Sequence, residues 1–226
     1  MTQKEVIRKI VDSLTNELKA FDFQPASLKQ GFTRNTDQNI FFFQLIAINR
    51  TIIKTGAKGF LIEPYIWVNV RKVEKYYRQI TINKELKRDD DFVTIGNSIA
   101  NLLANPDGLY KSKNNTLELH VFEEKDVSDV ADKLLKAFKQ VALPYCLKND
   151  SVGVIDKIVN SNPGEEKVHM MNDNYRVIKG AIAAKLNNNP ALDKIIQIYE
   201  RQIIDDDMYN AKEEWEKLKD ILPTIN

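Results

Sequence analysis

At 226 residues the chain is long enough for one large domain, or a domain with a small appendage, to build a core without disulfides or metals. Its 43% hydrophobic and 29% charged residues, with only eight Gly and seven Pro, exclude collagen-like, low-complexity and wholly disordered classes. Lys+Arg at 33 against Asp+Glu at 32 leave a net charge of +1, so the whole-chain field of a non-specific nucleic-acid or anionic-membrane binder is missing. A lone cysteine, Cys146, fits a reducing compartment. Charges at Glu5, Arg8, Lys9, Asp12 and Glu17 break any signal-peptide core, and no stretch approaches eighteen uncharged apolar residues. The expectation is a cytoplasmic protein without a membrane span.

Thr2 and Glu5 form a capping box, and Val6, Ile7, Ile10, Val11, Leu14, Leu18 and Phe21 recur at helical spacing, predicting an opening helix that Pro25 ends. From Leu28 the period is two, through Gln30, Phe32 and Arg34; a turn at 36–39 leads into the apolar run Ile40–Ile48, giving a hairpin with a central second strand. The segment 51–59 reads as a loop, and alternation resumes over Phe60–Val70. Val73, Tyr76, Tyr77 and Ile80 suit a helix, although Thr81 and Ile82 argue against it. Ile95, Ile99, Leu102 and Leu103 predict a short helix, and 117–122 a fourth strand. Asp126 caps a helix carrying Val127, Val130, Ala131, Leu134, Leu135, Phe138 and Val141, closed by Pro144. A short helix follows through Val152, Ile155 and Val159.

The run 160–167 (NSNPGEEK) is the strongest break in the chain. Beyond it lie three helical runs, about 174–186, 191–204 and 208–222. The chain therefore reads as α+β: a mostly antiparallel sheet of about four strands with helices packed on it over 1–160, and a C-terminal helical subdomain over 173–226. Three short helices cannot offset their own chain entropy, so the tail is expected to dock through Ile195, Ile196, Tyr199 and Trp215.

Leu28-x-x-Gly31-Phe32-x-Arg34, then Asn39-Ile40 leading into Phe43-Gln44, then Trp67-Val68-Asn69-Val70 resembles a bacterial family known only as a domain of unknown function, some of whose members sit near toxin–immunity loci. The resemblance covers roughly the first seventy residues. It implies a binding protein and carries no catalytic residue.

Chemistry-bearing groups are sparse. His120 and His169 stand 49 positions apart, without the short-spaced pair a catalytic zinc uses, and no CxxC, EF-hand, P-loop, GxGxxG or GxSxG pattern occurs. No cofactor or metal is expected. Cys146 lies in the apolar run Leu143–Leu147 and reads as a buried hydrophobe. The triplets Asp89–Asp91 and Asp205–Asp207 suit helix starts better than a magnesium site.

Charge is unevenly placed. Residues 27–88 hold twelve basic and four acidic side chains, a local +8, so the remainder carries −7. That excess either meets the acidic tail internally or presents a positive surface to an acidic protein partner; the spacing that stacks bases is absent, so nucleic acid is not expected. Along the third strand Ile62, Ile66, Val68 and Val70 alternate with Glu63, Tyr65, Trp67, Asn69 and Arg71, which sends the aliphatic set to the core and the aromatic set outward. The expected partner-binding surface is thus Tyr65, Trp67, Asn69 and Arg71 with Arg50, Lys54 and Lys58 on the adjoining basic loop, unless a helix covers the rings. The leading reading is a non-enzymatic binding protein of immunity or regulatory type. The alternative is a small hydrolase or metal-dependent nuclease using His120 and nearby carboxylates.

Overall fold

Helix α1 (Gln3–Lys19) opens on the capping box, Glu5 N donating to Thr2 Oγ1 at 3.3 Å and Thr2 N to Glu5 Oε2 at 2.7 Å. In this computed structural model residues 1–52, 56–86, 88–111, 117–170 and 172–226 are described. The chain then forms an antiparallel meander of β1 (Gln24–Ala26), β2 (Gly31–Asn35), β3 (Asn39–Thr51) and β4 (Lys58–Val70). The outer edge of β4 takes two later strands, β5 (Ile95–Ser98) beside Tyr65–Val68 and β6 (His120–Val121) beside Phe60–Leu61. The described sheet therefore has six strands where about four are expected, and the class is α+β. A Cβ at Gly31 would lie 2.1 Å from the Phe43 carbonyl oxygen, so only glycine lets β2 pair that closely with β3.

The long β3–β4 hairpin fixes which side chains share a face. Phe41, Phe43, Leu45 and Ala47 stand opposite Val68, Ile66, Pro64 and Ile62, and this inner face is buried against α1 and α4 (Asp126–Ala137). Ile40, Phe42, Gln44 and Ile46 stand opposite Asn69, Trp67, Tyr65 and Glu63 on the outer face. That outer face is covered at its Asn69 end and half open at its Gln44–Glu63 end.

Several local expectations need correcting. Leu28 lies in a 3₁₀ turn, 79% exposed, and not in a strand. Arg71–Ile80 forms a full helix, α2, because Val73, Tyr77 and Ile80 gain buried contacts that outweigh the strand-favouring residues after it. Ile95–Ser98 is a strand, since Thr94 N and β5 pair with β4, and only Ile99–Ala104 (α3) is helical, capped by Ser98. Of 117–122, only His120 and Val121 are in a strand. Asp126 is the first residue of α4, its carboxylate turning back to accept from the Phe122 and Glu123 N–H groups. Pro144 does not end that helix: a π-helical stretch, Phe138–Ala142, runs straight into α5 (Leu143–Lys148), and the ring sits in its first turn. The wider π turn leaves room for a residue lacking an N–H.

After α6 (Val152–Asn160) the break expected at 160–167 is a connection, and α7 (Asp173–Leu186) is buried along the whole run Arg176–Ala184. It packs on α2, α6, α8 (Leu192–Asp205) and α9 (Tyr209–Ile221), and one hydrophobic core runs without interruption from α1 to Ile225. Ile195, Tyr199 and Trp215 are buried and Ile196 half-buried, with the Tyr199 hydroxyl donating to Asn160 Oδ1 on α6. Asp156, 2% exposed, accepts from the amides of Asn160 (2.6 Å), Asn187 (2.7 Å) and Asn189 (2.9 Å), which ties the α7–α8 connection to α6. No helix among the described residues is long and apolar enough to cross a membrane.

A buried ion pair joins α2 to α7. Glu74 is 5% exposed and Lys179 3%, and the ammonium donates to both carboxylate oxygens at 3.0 and 2.9 Å and to the Val93 carbonyl at 2.6 Å. The Thr94 hydroxyl fills Glu74 Oε1 at 2.7 Å, and the Tyr77 ring lies 4.3 Å from the ammonium. Removing one partner leaves the other charge buried and alone. Lys179→Met is expected to cost about 3–5 kcal/mol in urea unfolding, while Glu74→Gln/Lys179→Met together regain most of that loss; costs of Glu74→Gln and Lys179→Met that simply add in the double variant would show that the charges are not coupled.

Candidate functional site

Tyr65 and Trp67 are next-but-one neighbours on β4, so both project from the outer face, opposite Gln44 and Phe42. Their rings stack at 5.4 Å between centroids with 13° between planes. Trp67 Nε1 donates to Gln44 Oε1 at 3.0 Å and the Tyr65 hydroxyl to Glu63 Oε2 at 3.2 Å. Burial, and then the Glu63 charge, raise the Tyr65 phenol above its ordinary pKa, so it stays a donor. Both rings are half-buried, and on the Trp67 side the 92–97 segment and α7 stand as a wall.

That wall makes a cleft of about 560 Å³. Phe42, Gln44 and Trp67 floor it, the 90–97 segment forms one side, Tyr175 and Lys179 of α7 the other, and His169 and Met170 its end. Gly96, at φ 149°, brings β5 close beneath Trp67, since a Cβ there would lie 2.2 Å from the Ile66 carbonyl oxygen. The recess sets the rings of Phe42, Trp67, Phe92 and Tyr175 among polar and charged side chains, Lys29, Asp90, Asp91 and Lys179 among them, and opens beside the half-buried Tyr–Trp stack, a mixture suited to recognition.

Other expected site residues are placed differently. Asn69 is 1% exposed and not on an open rim: its Nδ2 donates to the carbonyls of Asp89 (2.8 Å) and Phe92 (2.9 Å), because the 89–92 segment folds over that end of the sheet. Arg71 starts α2 and turns away, donating to the Thr36 carbonyl at 3.2 Å and approaching Asp89 at 4.0 Å. Arg50 and Lys58 are exposed at the far tip of the hairpin, Lys58 about 30 Å along β4 from Trp67 at the usual rise per residue, and only Arg50 shares the outer face. Lys54 lies outside the described residues.

The acidic triplet Asp89–Asp91 is a turn saturated by cations. Arg71 and Arg78 reach Asp89, Arg88 reaches Asp90 (3.3 Å) and Asp91 (3.1 Å), and Lys29 reaches Asp91 at 3.2 Å. Four of the cations behind the basic excess thus meet this adjoining turn. His120, stacked on Phe122 at 5.7 Å, pairs in β6 with Leu61, whereas Asp89 sits over Asn69, roughly 25 Å along the strand. The hydrolase reading needs these groups together, and the fold holds them apart. No three His, Cys, Asp or Glu side chains gather as metal ligands among the described residues.

His169 has a place that sequence reasoning missed. It lines the Trp67 cleft and also a second one, and its Nδ1 lies 3.0 Å from the Tyr145 hydroxyl. Burial, then Lys148 and Lys167, push its pKa down to about 4. Equally silent in sequence were Glu74 and Lys179, whose spacing suggests solvated helix faces. Cys146 is fully buried and its thiol is pushed up to about 12 by that burial.

Two outcomes follow from these environments. As pH falls below the ordinary histidine value of 6.5, the unfolded chain takes up the His169 proton before the folded one does. Stability fully present above pH 6.5 is therefore lost progressively towards pH 4, by up to about 3 kcal/mol. Urea midpoints against pH should show this limb in the wild type and a flatter one in His169→Gln. Cys146 should react with an alkylating reagent only after denaturation; stoichiometric labelling of native protein at neutral pH would contradict its burial.

Compared with protein-family models, curated proteins and solved structures, the chain matches none.

Proposed function

We propose that this chain is a non-enzymatic cytoplasmic binding protein, of immunity or regulatory type, that holds a segment of a protein partner on its outer sheet face and in the cleft beside Trp67. The observation that carries this reading is the Tyr65–Trp67 stack, half-exposed at the mouth of an aromatic-lined recess. Rigid aromatic rings lose little conformational freedom on binding and supply most of the energy of small interfaces. Along the same face, Gln44, Ile46 and Ile48 stay half-buried and lead towards Arg50 at the hairpin tip. An acidic partner segment with an apolar anchor for the recess suits that order of groups. The weak N-terminal resemblance to a family found near toxin–immunity loci points the same way.

Trp67 shares a hydrogen bond with Gln44, so its removal mixes loss of binding with loss of packing. Tyr65 is the cleaner probe. Tyr65→Ala should lower the thermal midpoint by only a degree or two, while retention of a discrete partner on immobilised protein drops by roughly 2 kcal/mol or more. Trp67→Ala should lose the same partner with a larger stability cost. If both variants retain every protein that the wild type retains, the sheet face is not the binding surface.

A further inference from the structure

A second cleft, of about 690 Å³, lies on the other side of His169 between α3, α5, α6 and the 105–109 turn. Its charged lining is one-sided: Lys148, Lys157 and Lys167 against Asp107 alone. That carboxylate is already neutralised by Lys111 and by the Leu109 N–H at 3.2 Å. Lys148 and Lys157 make no ion pair among the described residues; each sits in the last turn of a helix, where a cation is favourable in any case. Lys167 has no such reason. It belongs to no helix, is 3% exposed, makes no side-chain hydrogen bond among the described residues, and has Glu165 at 3.9 Å as its nearest carboxylate. Burial lowers its pKa below the ordinary lysine value, Glu165 opposes that shift and Arg176 adds to it, so the charge is only loosely compensated.

A further donor faces the same space. The buried Tyr145 phenol, its pKa raised by burial, shares a hydrogen bond of 3.0 Å with His169 Nδ1, and in the tautomer in which the phenol donates the imidazole carries its proton on Nε2. Nε2 lies on the side of Gly108, 3.1 Å from where a Cβ would stand, and Gly108 lines this cleft. The remaining walls mix apolar side chains, including Leu102, Leu109, Val141 and Ile158, with neutral polar ones such as Gln140 and Asn162.

We propose that this cleft binds a small organic phosphate, its dianionic head taken by Lys167, Lys148, Lys157 and the His169 Nε2–H, and its apolar body by the leucine-rich walls. A phosphate oxygen would give Lys167 a closer acceptor than Glu165 at 3.9 Å. The site shares His169 with the end of the Trp67 cleft but takes no residue of the outer sheet face, so its test is read independently of the partner-binding reading.

The test is calorimetric titration of the full chain at pH 7.5 and low salt with phenyl phosphate, inorganic phosphate and phenol. Phenyl phosphate should bind at one saturable site, inorganic phosphate more weakly, and phenol not at all. Lys167→Met should weaken phenyl phosphate roughly tenfold or more. Its thermal midpoint should change little, because the one ion pair removed, to Glu165 at 3.9 Å, is long and exposed on the glutamate side. Lys148→Gln/Lys157→Gln alters only exposed side chains and should weaken binding several-fold without affecting folding. No saturable binding of either phosphate, full affinity in Lys167→Met, or full affinity in the double variant would each overturn the proposal.

Discussion

The contact between Glu74 and Lys179 is the constraint around which the rest of the molecule is arranged. Two charges removed from water are tolerable only when every lone pair and N–H is matched, and here Thr94, Val93 and the Tyr77 ring complete the set. Thr94 also accepts from Val70 N at 2.8 Å, so the same cluster fixes where β4 ends and α2 begins. The other end of α2 is held alike: Glu214 of α9 accepts from the Tyr77 hydroxyl, the Thr81 hydroxyl (2.7 Å) and Ile82 N (3.0 Å). Helix α2 is thereby clamped by two carboxylates, and α7 must lie where Lys179 reaches the first. The position of α7 in turn sets the wall of the Trp67 cleft.

A second consequence of electrostatics concerns the surface. The local excess of positive charge suggests an open cationic patch, yet Lys29, Arg71, Arg78 and Arg88 converge on the turn at Asp89–Asp91. Those carboxylates belong to the next stretch of sequence and lie outside the window in which the excess appears. The turn pins the 88–93 segment over the end of the sheet, buries Asn69, and narrows the open face to the Gln44–Tyr65 end. A charge run read from sequence was here largely a scaffold for a loop, and among the described residues of β3 and β4 Arg50 is the exposed cation on this face.

Much of the architecture was legible where one physical signal acts alone. The Thr2–Glu5 box, the stripe of α1 and the alternation through β3 and β4 are local, and they form as their spacing dictates. The misreadings come from positions where tertiary contact decides. Ile95 and Ile99 have helical spacing, but Gly96 permits a backbone that pairs with β4, and the helix waits for Ser98. Pro144 reads as a stop because a proline in a regular α-helix is one, and the π turn that admits it has no sequence signature. The candidate site was half legible: periodicity put Tyr65 and Trp67 outward correctly, while the cleft beside them depends on α7, more than a hundred residues later. His169 and Lys167 carry no motif at all, since their surroundings come from segments distant in sequence.

The distance in sequence between Glu74 and Lys179 bears on how the chain is made. As synthesis proceeds from the N-terminus, α2 is complete about a hundred residues before its counter-charge exists, a delay of roughly 5–20 s at ordinary elongation rates. During that interval the nascent α2 has no mate for Glu74 and no cover for Tyr77, and the β3–β4 hairpin has one bare side. The emerging polypeptide is thus obliged to wait, with greasy surface showing, until its last quarter leaves the ribosome. The α2–α7 contact is therefore consolidated late relative to the sheet, and the order of the residues alone imposes that delay.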